Sequence, residues 1–502
     1  MKVLFVFPDF GLVTNRQGKL VLETGGWYAE GIGSLAAVLA QAGHQASLYH
    51  LTGPVEREQF LARLQQEAPD LVAFSVRTQV FAPAAEYALW ASQAGHATIF
   101  GSYHPMLNPE ETIARPGVDM ICIGEGEVPL ATLCERMEKG SDYSDIPGLW
   151  IKRDGEVSKN PVGPLIEDLD SLPLPKFDLF DYDHLLSSET FTAMASFTRG
   201  CPYSCAYCIN HKLRALYPNR NRWLRTRSPQ NALAYLRRLR EIYPQMRYVR
   251  VMDDIFHYSE DWLTEFLPLY KAEINLPFAI NHRPNRFTER AAKMLADAGC
   301  YQVYFGVESG NERIRNQVIG RQMSDDQIKT AFRLARENGI RTAAYNMIGL
   351  PFENMACVLD TIKLNATIKP NRIFSPIFCP YPNTKLHDIA VEAGFCRPNA
   401  NYREDVILQM PDFPLKQILF VRANFRTAVR VYEIIGALPA AIRRPVQRAV
   451  DGLFLSKHLP YRLLTNAGDA YSDAMERLKA GLRRYSPNFY VFLRDRVVGN
   501  RL

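Results

Sequence analysis

No run of about eighteen apolar residues occurs in the 502-residue chain, so nothing in it reads as a membrane-spanning helix. A secretory pattern is also missing at the N-terminus. Met1 and Lys2 lead into a short apolar run over residues 3–7, which Asp9 soon ends. Cysteine is sparse: there are nine, an odd number, with none before Cys122. That usage argues for a reducing cytoplasm rather than a disulfide framework. Cys122, Cys134, Cys300, Cys357, Cys379 and Cys396 read as buried small hydrophobes. No recognisable RNA-binding module accompanies the positive charge, so nucleic acid is not an expected partner. With 47% hydrophobic residues the chain is not disordered, and its length asks for two or three domains.

What is present is concentrated in Thr198-Arg199-Gly200-Cys201-Pro202-Tyr203-Ser204-Cys205-Ala206-Tyr207-Cys208, which follows an apolar run. Cys201, Cys205 and Cys208 are close enough on one turn to ligate three irons of a [4Fe–4S] cube, leaving the fourth iron without a protein ligand. A structural zinc knuckle would want a fourth Cys or His at paired spacing, and His211 fits neither. The CxxxCxxC spacing, with Tyr207 before the last cysteine, resembles the radical S-adenosylmethionine (SAM) family. That resemblance implies that the open iron chelates the amino and carboxylate groups of SAM. Reduction then cleaves SAM to a 5′-deoxyadenosyl radical, with an electron donor such as flavodoxin or ferredoxin as partner.

Residues 1–140 alternate short apolar runs with helical patterns, which predicts a doubly wound parallel, Rossmann-like sheet with ligands beyond the carboxyl ends of its strands. Those ends include Gly101-Ser102-Tyr103-His104-Pro105 and Gly124-Glu125-Gly126-Glu127. Tight strand-to-helix turns explain such stretches as well as a ligand does. Their wording resembles cobalamin-binding domains that precede many radical SAM modules, which implies cobalamin contacts at Ser75, Gly101, Ser102, Gly124 and Glu125. Ser75 and Gly101 fall where that family places the dimethylbenzimidazole tail. The family's Asp-x-His-x-x-Gly signature has no match, because Asp9-Phe10-Gly11 lacks the histidine. That departure is compatible with radical SAM members that bind cobalamin without a histidine ligand, and equally with a domain that has lost it.

Residues 141–190 read as a connector containing a hairpin turned at Asp154-Gly155. Six strand–helix units over residues 191–390 predict a partial parallel (β/α)6 barrel with its functional groups at the strand ends. Asp253 and Asp254, Arg283, Glu308 and Ser309, and the stretch from Ile348 and Gly349 stand at those ends. By resemblance, Asp253 and Asp254 lie near the position that meets SAM's amino group, Arg283 and Glu308 suit its carboxylate or ribose, and Ile348-Gly349-Leu350-Pro351 suits adenine. No catalytic acid or base is singled out.

Residues 391–502 turn helical and basic. From Lys416 to Arg496 there are 15 Lys and Arg against 6 Asp and Glu, a net +9, so the rest of the chain nets −3. Arg422, Arg426 and Arg430 at four-residue spacing suggest a basic helix face, either a solvated cap over the barrel or a contact for an anionic substrate or membrane surface. Taken together, the resemblances imply a cobalamin-dependent C-methyltransferase acting on a small molecule or lipid through a 5′-deoxyadenosyl radical and methylcobalamin. The alternatives are a non-methylating cyclisation, dehydration or rearrangement, and a non-enzymatic sensor. A methylthiotransferase would carry a second cysteine set in its N-terminal domain, and residues 1–121 have no cysteine.

Overall fold

The structure, a computed structural model, describes residues 1–14, 20–23, 25–256, 259–398 and 408–492. Strands β1 (Lys2–Pro8), β2 (Gly11–Thr14), β3 (Leu20–Glu23), β4 (Gln45–Leu51), β5 (Leu71–Ser75), β6 (Ala97–Gly101), β7 (Met120–Cys122), β8 (Leu149–Arg153) and β9 (Glu156–Lys159) belong to the N-terminal domain. Seven of them form one sheet in the order β4-β1-β5-β6-β7-β8-β9, while β2 and β3 pair as a separate antiparallel ribbon. The β4-to-β7 part is parallel and helix-covered, as the alternating pattern predicts. The connector is not independent of it: its β8–β9 hairpin adds antiparallel to the edge of β7. An uncovered edge would expose unpaired backbone groups, and the hairpin removes that edge from β7.

The second sheet is β10 (Thr192–Ala195), β13 (Tyr248–Val251), β14 (Phe278–His282), β15 (Cys300–Glu308), β16 (Arg341–Asn346) and β17 (Arg372–Phe374), all parallel and in chain order. A two-stranded ribbon, β11 (Thr198–Arg199) with β12 (Arg225–Thr226), carries the cysteine loop out from β10. Each crossover helix begins on a side-chain cap: Ser228, Ser259, Thr288, Ser324 and Asn354 each accept from the amide three residues on. Those caps fix where the helices start, and so how far the strand ends project as loops.

One core runs through both domains, from Phe5 and Ile32 through the connector's Phe177, Phe180 and Tyr182 to Tyr235 and Leu236. Ion pairs cross the same boundary. Arg199 contacts Glu127 at 2.5 Å, Glu125 at 3.1 Å and the Ser34 hydroxyl at 3.1 Å, while Arg225 holds both oxygens of Glu125 at 2.8 and 2.9 Å. Burial pushes the Glu127 carboxyl up, but the Arg199 charge and the hydrogen bonds from Arg199 and Ser34 outweigh it and hold the group below its ordinary value.

The helix Leu415–Ala437 packs Ile418, Val421, Phe425 and Tyr432 into a second core shared with Ile348, Leu350 and Val358. Arg422 pairs with Asp469 at 3.2 Å, and Arg426 donates to the Ile373 carbonyl at 3.0 Å while staying exposed, as does Arg430. The expected basic face is therefore kept by Arg426 and Arg430, with Arg422 drawn aside to Asp469. Among the described residues no helix is long and apolar enough to cross a membrane.

Candidate active site between the two domains

The cysteine loop turns at Gly200, whose φ is +86°; a Cβ there would lie 2.3 Å from the Trp223 carbonyl oxygen. Only glycine satisfies both constraints. Beyond the turn, Cys205 is buried and Cys201 and Cys208 are half-buried. The Cys205 sulfur accepts from Arg283 Nη1 at 3.5 Å and Arg321 Nη1 at 3.8 Å. The Cys208 sulfur accepts from the Asn210 amide at 3.5 Å and Asn210 Nδ2 at 3.7 Å. Burial, with Asp254 and the neighbouring thiols, pushes the Cys201 thiol up to about 12.

These residues fit an anionic iron–sulfur cluster. Arg283 and Arg321 are both buried, and Arg283 makes no ion pair of its own among the described residues. Buried positive charge with so little compensation is costly alone and favourable beside an anionic group. Among the described residues no three His, Cys, Asp or Glu side chains gather closely enough for one ion. A cube takes each thiolate on a different iron, so it does not need them so close.

The sequence-selected residues divide into two groups. Tyr207 donates its hydroxyl to Glu308 Oε1 at 3.1 Å and accepts from Arg321 Nη1 at 3.0 Å. Burial raises the Glu308 carboxyl despite Arg321, and Glu308 holds a left-handed φ of +66°. A residue kept in that region without being glycine is held there by its surroundings. Asp254 faces the other side of the loop. Its Oδ2 accepts from Asn210 Nδ2 at 2.9 Å, and burial raises its carboxyl. Ile348 lies in the core beside Ala206 and Tyr207, and Gly349 packs against Ile418.

Other candidates have different duties. Asp253 is turned inward, where its Oδ1 accepts from the amides of Phe197 at 2.8 Å and Thr198 at 3.0 Å, so it holds the approach to the cysteine loop. Arg283 stacks 4.0 Å over the Tyr203 ring and is spent on the loop rather than on the strand mouth. Ser309 is fully buried in a turn, its hydroxyl accepting from the Asn311 amide at 3.2 Å.

On the N-terminal side, Ser75 and Gly101 are register partners at adjacent strand ends, and nothing lies within 4 Å of a Cβ placed at Gly101. Ser102 follows in a left-handed turn with φ +78°. Together they leave an open shelf at the strand ends. Gly124 and Glu125 are not part of it. A Cβ on Gly124 would sit 2.6 Å from the Tyr217 hydroxyl, and Glu125 is committed to Arg199 and Arg225 across the domain boundary.

Tyr103, just past the shelf, joins the two sides. Burial, with Asp254, Tyr381 and Cys208 nearby, pushes its hydroxyl up to about 12. The residue as a whole is nonetheless 44% exposed, so it stands at a surface rather than in a packed interior. Tyr381, beyond β17, accepts from Gln79 Nε2 at 3.1 Å, and Asn383 donates to the Leu107 carbonyl at 2.7 Å. The end of β6 and the mouth of the barrel therefore meet at one boundary. Asn210 and Arg321 were not selected from the sequence, whereas Tyr103 lies in the stretch from Gly101 to Pro105 that was. Asn210 had a local signal, two residues past the last cysteine.

Glu353 supports the Gly349 turn. It is 1% exposed, its Oε2 accepts from the amides of Gly349 at 2.6 Å and Leu350 at 3.2 Å, and its Oε1 has no partner. Burial pushes the carboxyl from 4.5 up to about 8, against the pull of the two amides. A carboxyl raised in this way costs stability as it ionises, so stability falls as pH rises from about 4.5 to about 8. Glu353→Gln retains an acceptor for both amides and is expected to flatten that part of the Tm–pH profile. An unchanged slope would contradict the assignment.

Two family models match the chain: "B12 binding domain" over residues 24–134 and "Radical SAM superfamily" over residues 195–364. An uncharacterised methyltransferase of Pyrococcus horikoshii is 26% identical over 426 residues, covering 83% of this chain and 90% of that protein. An anaerobic magnesium-protoporphyrin IX monomethyl ester cyclase of Rubrivivax gelatinosus is 22% identical over 399 residues, 77% of this chain and 69% of that one. The fold is shared with the radical SAM methyltransferase TsrM of Kitasatospora setae, solved with tryptophan and a SAM analogue: TM-score 0.67 at 15% identity, over 93% of this chain and 95% of that one. The chain is a radical SAM enzyme with a B12-binding domain ahead of its radical SAM domain, and its cofactors are a [4Fe–4S] cluster, SAM and cobalamin.

Proposed function

We propose that this enzyme transfers a methyl group from SAM to a carbon, or another weakly nucleophilic centre, of a small-molecule or lipid substrate. The observation that carries the reading is the juxtaposition of the two domains' strand ends: Gln79 and Leu107 of the first bond Tyr381 and Asn383 of the second, and Tyr103 beside them feels the charges of Asp254 and Cys208. When bound, cobalamin supplies a methyl carrier, and the cluster with SAM supplies a radical that can activate an unreactive substrate.

The chain's own residues then hold and orient. Cys201, Cys205 and Cys208 ligate the cluster. Asp254 receives the amino group of SAM, Glu308 a ribose hydroxyl, and the Ile348–Gly349 backbone its adenine. Ser75, Gly101 and Ser102 cradle the cobalamin tail. Asp253, Arg283 and Arg321 position the cysteine loop. A small reduced iron–sulfur or flavin protein supplies electrons, in the cytoplasm, where all nine cysteines stay reduced.

The experiment is anaerobic turnover of the reduced holoenzyme with trideuteromethyl SAM and fractionated metabolite and lipid extracts. A component carrying the labelled methyl is expected. Release of 5′-deoxyadenosine with a changed but unlabelled component would favour the second reading, cyclisation or rearrangement, which the resemblance to the cyclase supports.

Arg321→Met is expected to make the cluster harder to reduce, because a buried N–H donor and positive charge beside sulfur favour the more negative, reduced state. A tenfold smaller reduced fraction at fixed potential corresponds to ~59 mV for one electron. A redox titration followed by electron paramagnetic resonance reads it, and an unmoved midpoint would leave Arg321 a packing residue.

A further inference from the structure

After the helix Leu415–Ala437, the next helix, Ala440–Leu455, has no buried residue at all. It rests on the body through Val450 and Phe454, which pack against the second core, and through Asp451, which accepts from Lys363 Nζ at 2.8 Å and the Tyr432 hydroxyl at 2.5 Å. At 3.6 residues per turn, Ala441, Pro445, Ala449 and Gly452 form the line farthest from that contact, and all four are exposed. On an ordinary surface helix this outermost line is where charges stand. Here it carries none.

The two flanks of that line differ. Ile442, Val446 and Leu453 lie on one side, within about 40° of one another around the axis; they are 48%, 36% and 57% exposed. Arg444 and Arg448 lie on the other and are also exposed. The corner into the following helix, Tyr461–Tyr485, adds exposed Leu455, Lys457, Arg462 and Leu463, the last 68% exposed. Between residues 438 and 468 there are five Lys and Arg, and the single acid is Asp451, already held internally. The rest of the molecule outside the basic segment is net negative, so this face is where an anionic partner is drawn.

We propose that this face, the helix Ala440–Leu455 and its corner, docks the enzyme on an anionic phospholipid surface. An uncharged outermost line flanked by apolar side chains and by arginines able to extend sideways suits the boundary between headgroups and acyl chains. A nucleic acid or an acidic protein would call for cations on the outermost line. A second copy meeting this face would set five cations against five. The inference concerns a surface away from the candidate active site and does not depend on which reaction the enzyme performs.

The test uses the full-length, anaerobically reconstituted protein and vesicle flotation. One vesicle population is phosphatidylcholine alone, and the other includes a third phosphatidylglycerol. Binding to the anionic vesicles and not to the neutral ones is expected, with release as salt rises from ~0.1 M to ~1 M. The double substitution Arg444→Glu and Arg448→Glu is expected to weaken binding at least ~tenfold, by reversing attraction to anionic lipid. Leu453→Ser with Leu463→Ser should weaken it independently. Both variants should keep wild-type SAM cleavage in solution, which shows that they fold. Three results would each overturn the proposal: no binding to either vesicle, equal binding by variants and wild type, or a solution dimer that the leucine variant returns to monomer.

Discussion

Cys205→Ala is expected to reduce SAM cleavage to background under reducing, anaerobic conditions. Cys205 is the buried member of the cysteine trio and the one whose sulfur receives both guanidinium groups, Arg283 at 3.5 Å and Arg321 at 3.8 Å. Its removal deletes a ligand and leaves two buried cations facing a void. The loss should exceed the ~10–100-fold that removing an outer-sphere partner of a metal site costs. Iron content should fall with it, while cobalt content should stay near wild type, because the open shelf at Ser75 and Gly101 belongs to the other domain. Retained cobalt separates the loss of a ligand from the loss of the fold. A variant that keeps both its iron and its cleavage activity would contradict the assignment.

The second large effect is structural. Arg199→Ala is expected to destabilise the enzyme by about 3–5 kcal/mol, the range for removing one partner of a buried ion pair. Arg199 spans Glu127, Glu125 and Ser34 across the domain boundary, and the Glu127 side chain is 5% exposed. Glu125 retains Arg225, so the orphaned charge is that of Glu127. The sign of the pH dependence follows. In the wild type the Glu127 carboxyl is held below its ordinary value, so its contribution is present above about 4.5 and is lost as pH falls through the folded value. Without Arg199, burial, the largest influence, is opposed only by the hydrogen bonds that remain, such as that from Ser34, and raises it, so protonation relieves the penalty. The gap in Tm between wild type and variant should therefore narrow as pH is lowered from 7 towards 4.5. A gap that stays constant would mean that Glu127 finds another partner.

What the sequence made legible was local. The cysteine spacing and the strand-helix alternation each depend on residues a few positions apart, and the alternation predicts the two sheets closely. The site was legible only where its residues shared that property. Asp253 and Asp254 are adjacent at one strand end, yet the first is turned to backbone amides and the second to Asn210, just past the cysteine loop. Nothing in their order distinguishes them. Gly124 and Glu125 read as a ligand-binding turn because glycine beside a strand end permits close approach. What approaches is Tyr217 and Arg225, about a hundred residues further on. Arg321 reaches Cys205 over 116 positions and Gln79 reaches Tyr381 over 302, contacts that only the assembled fold creates. The four-residue spacing of Arg422, Arg426 and Arg430 marked two exposed cations correctly, Arg426 and Arg430, but could not show that Asp469, 47 positions further on, draws Arg422 aside.

An iron–sulfur cluster and cobalamin are expected to bind on the two sides of one domain boundary, although the chain lacks the histidine signature associated with cobalt ligation. Metal analysis of the full-length enzyme, purified without oxygen and reconstituted with iron, sulfide and hydroxocobalamin, tests this most directly. Iron near ~4 and cobalt near ~1 per chain are expected. Iron near that value with cobalt absent after reconstitution would contradict it.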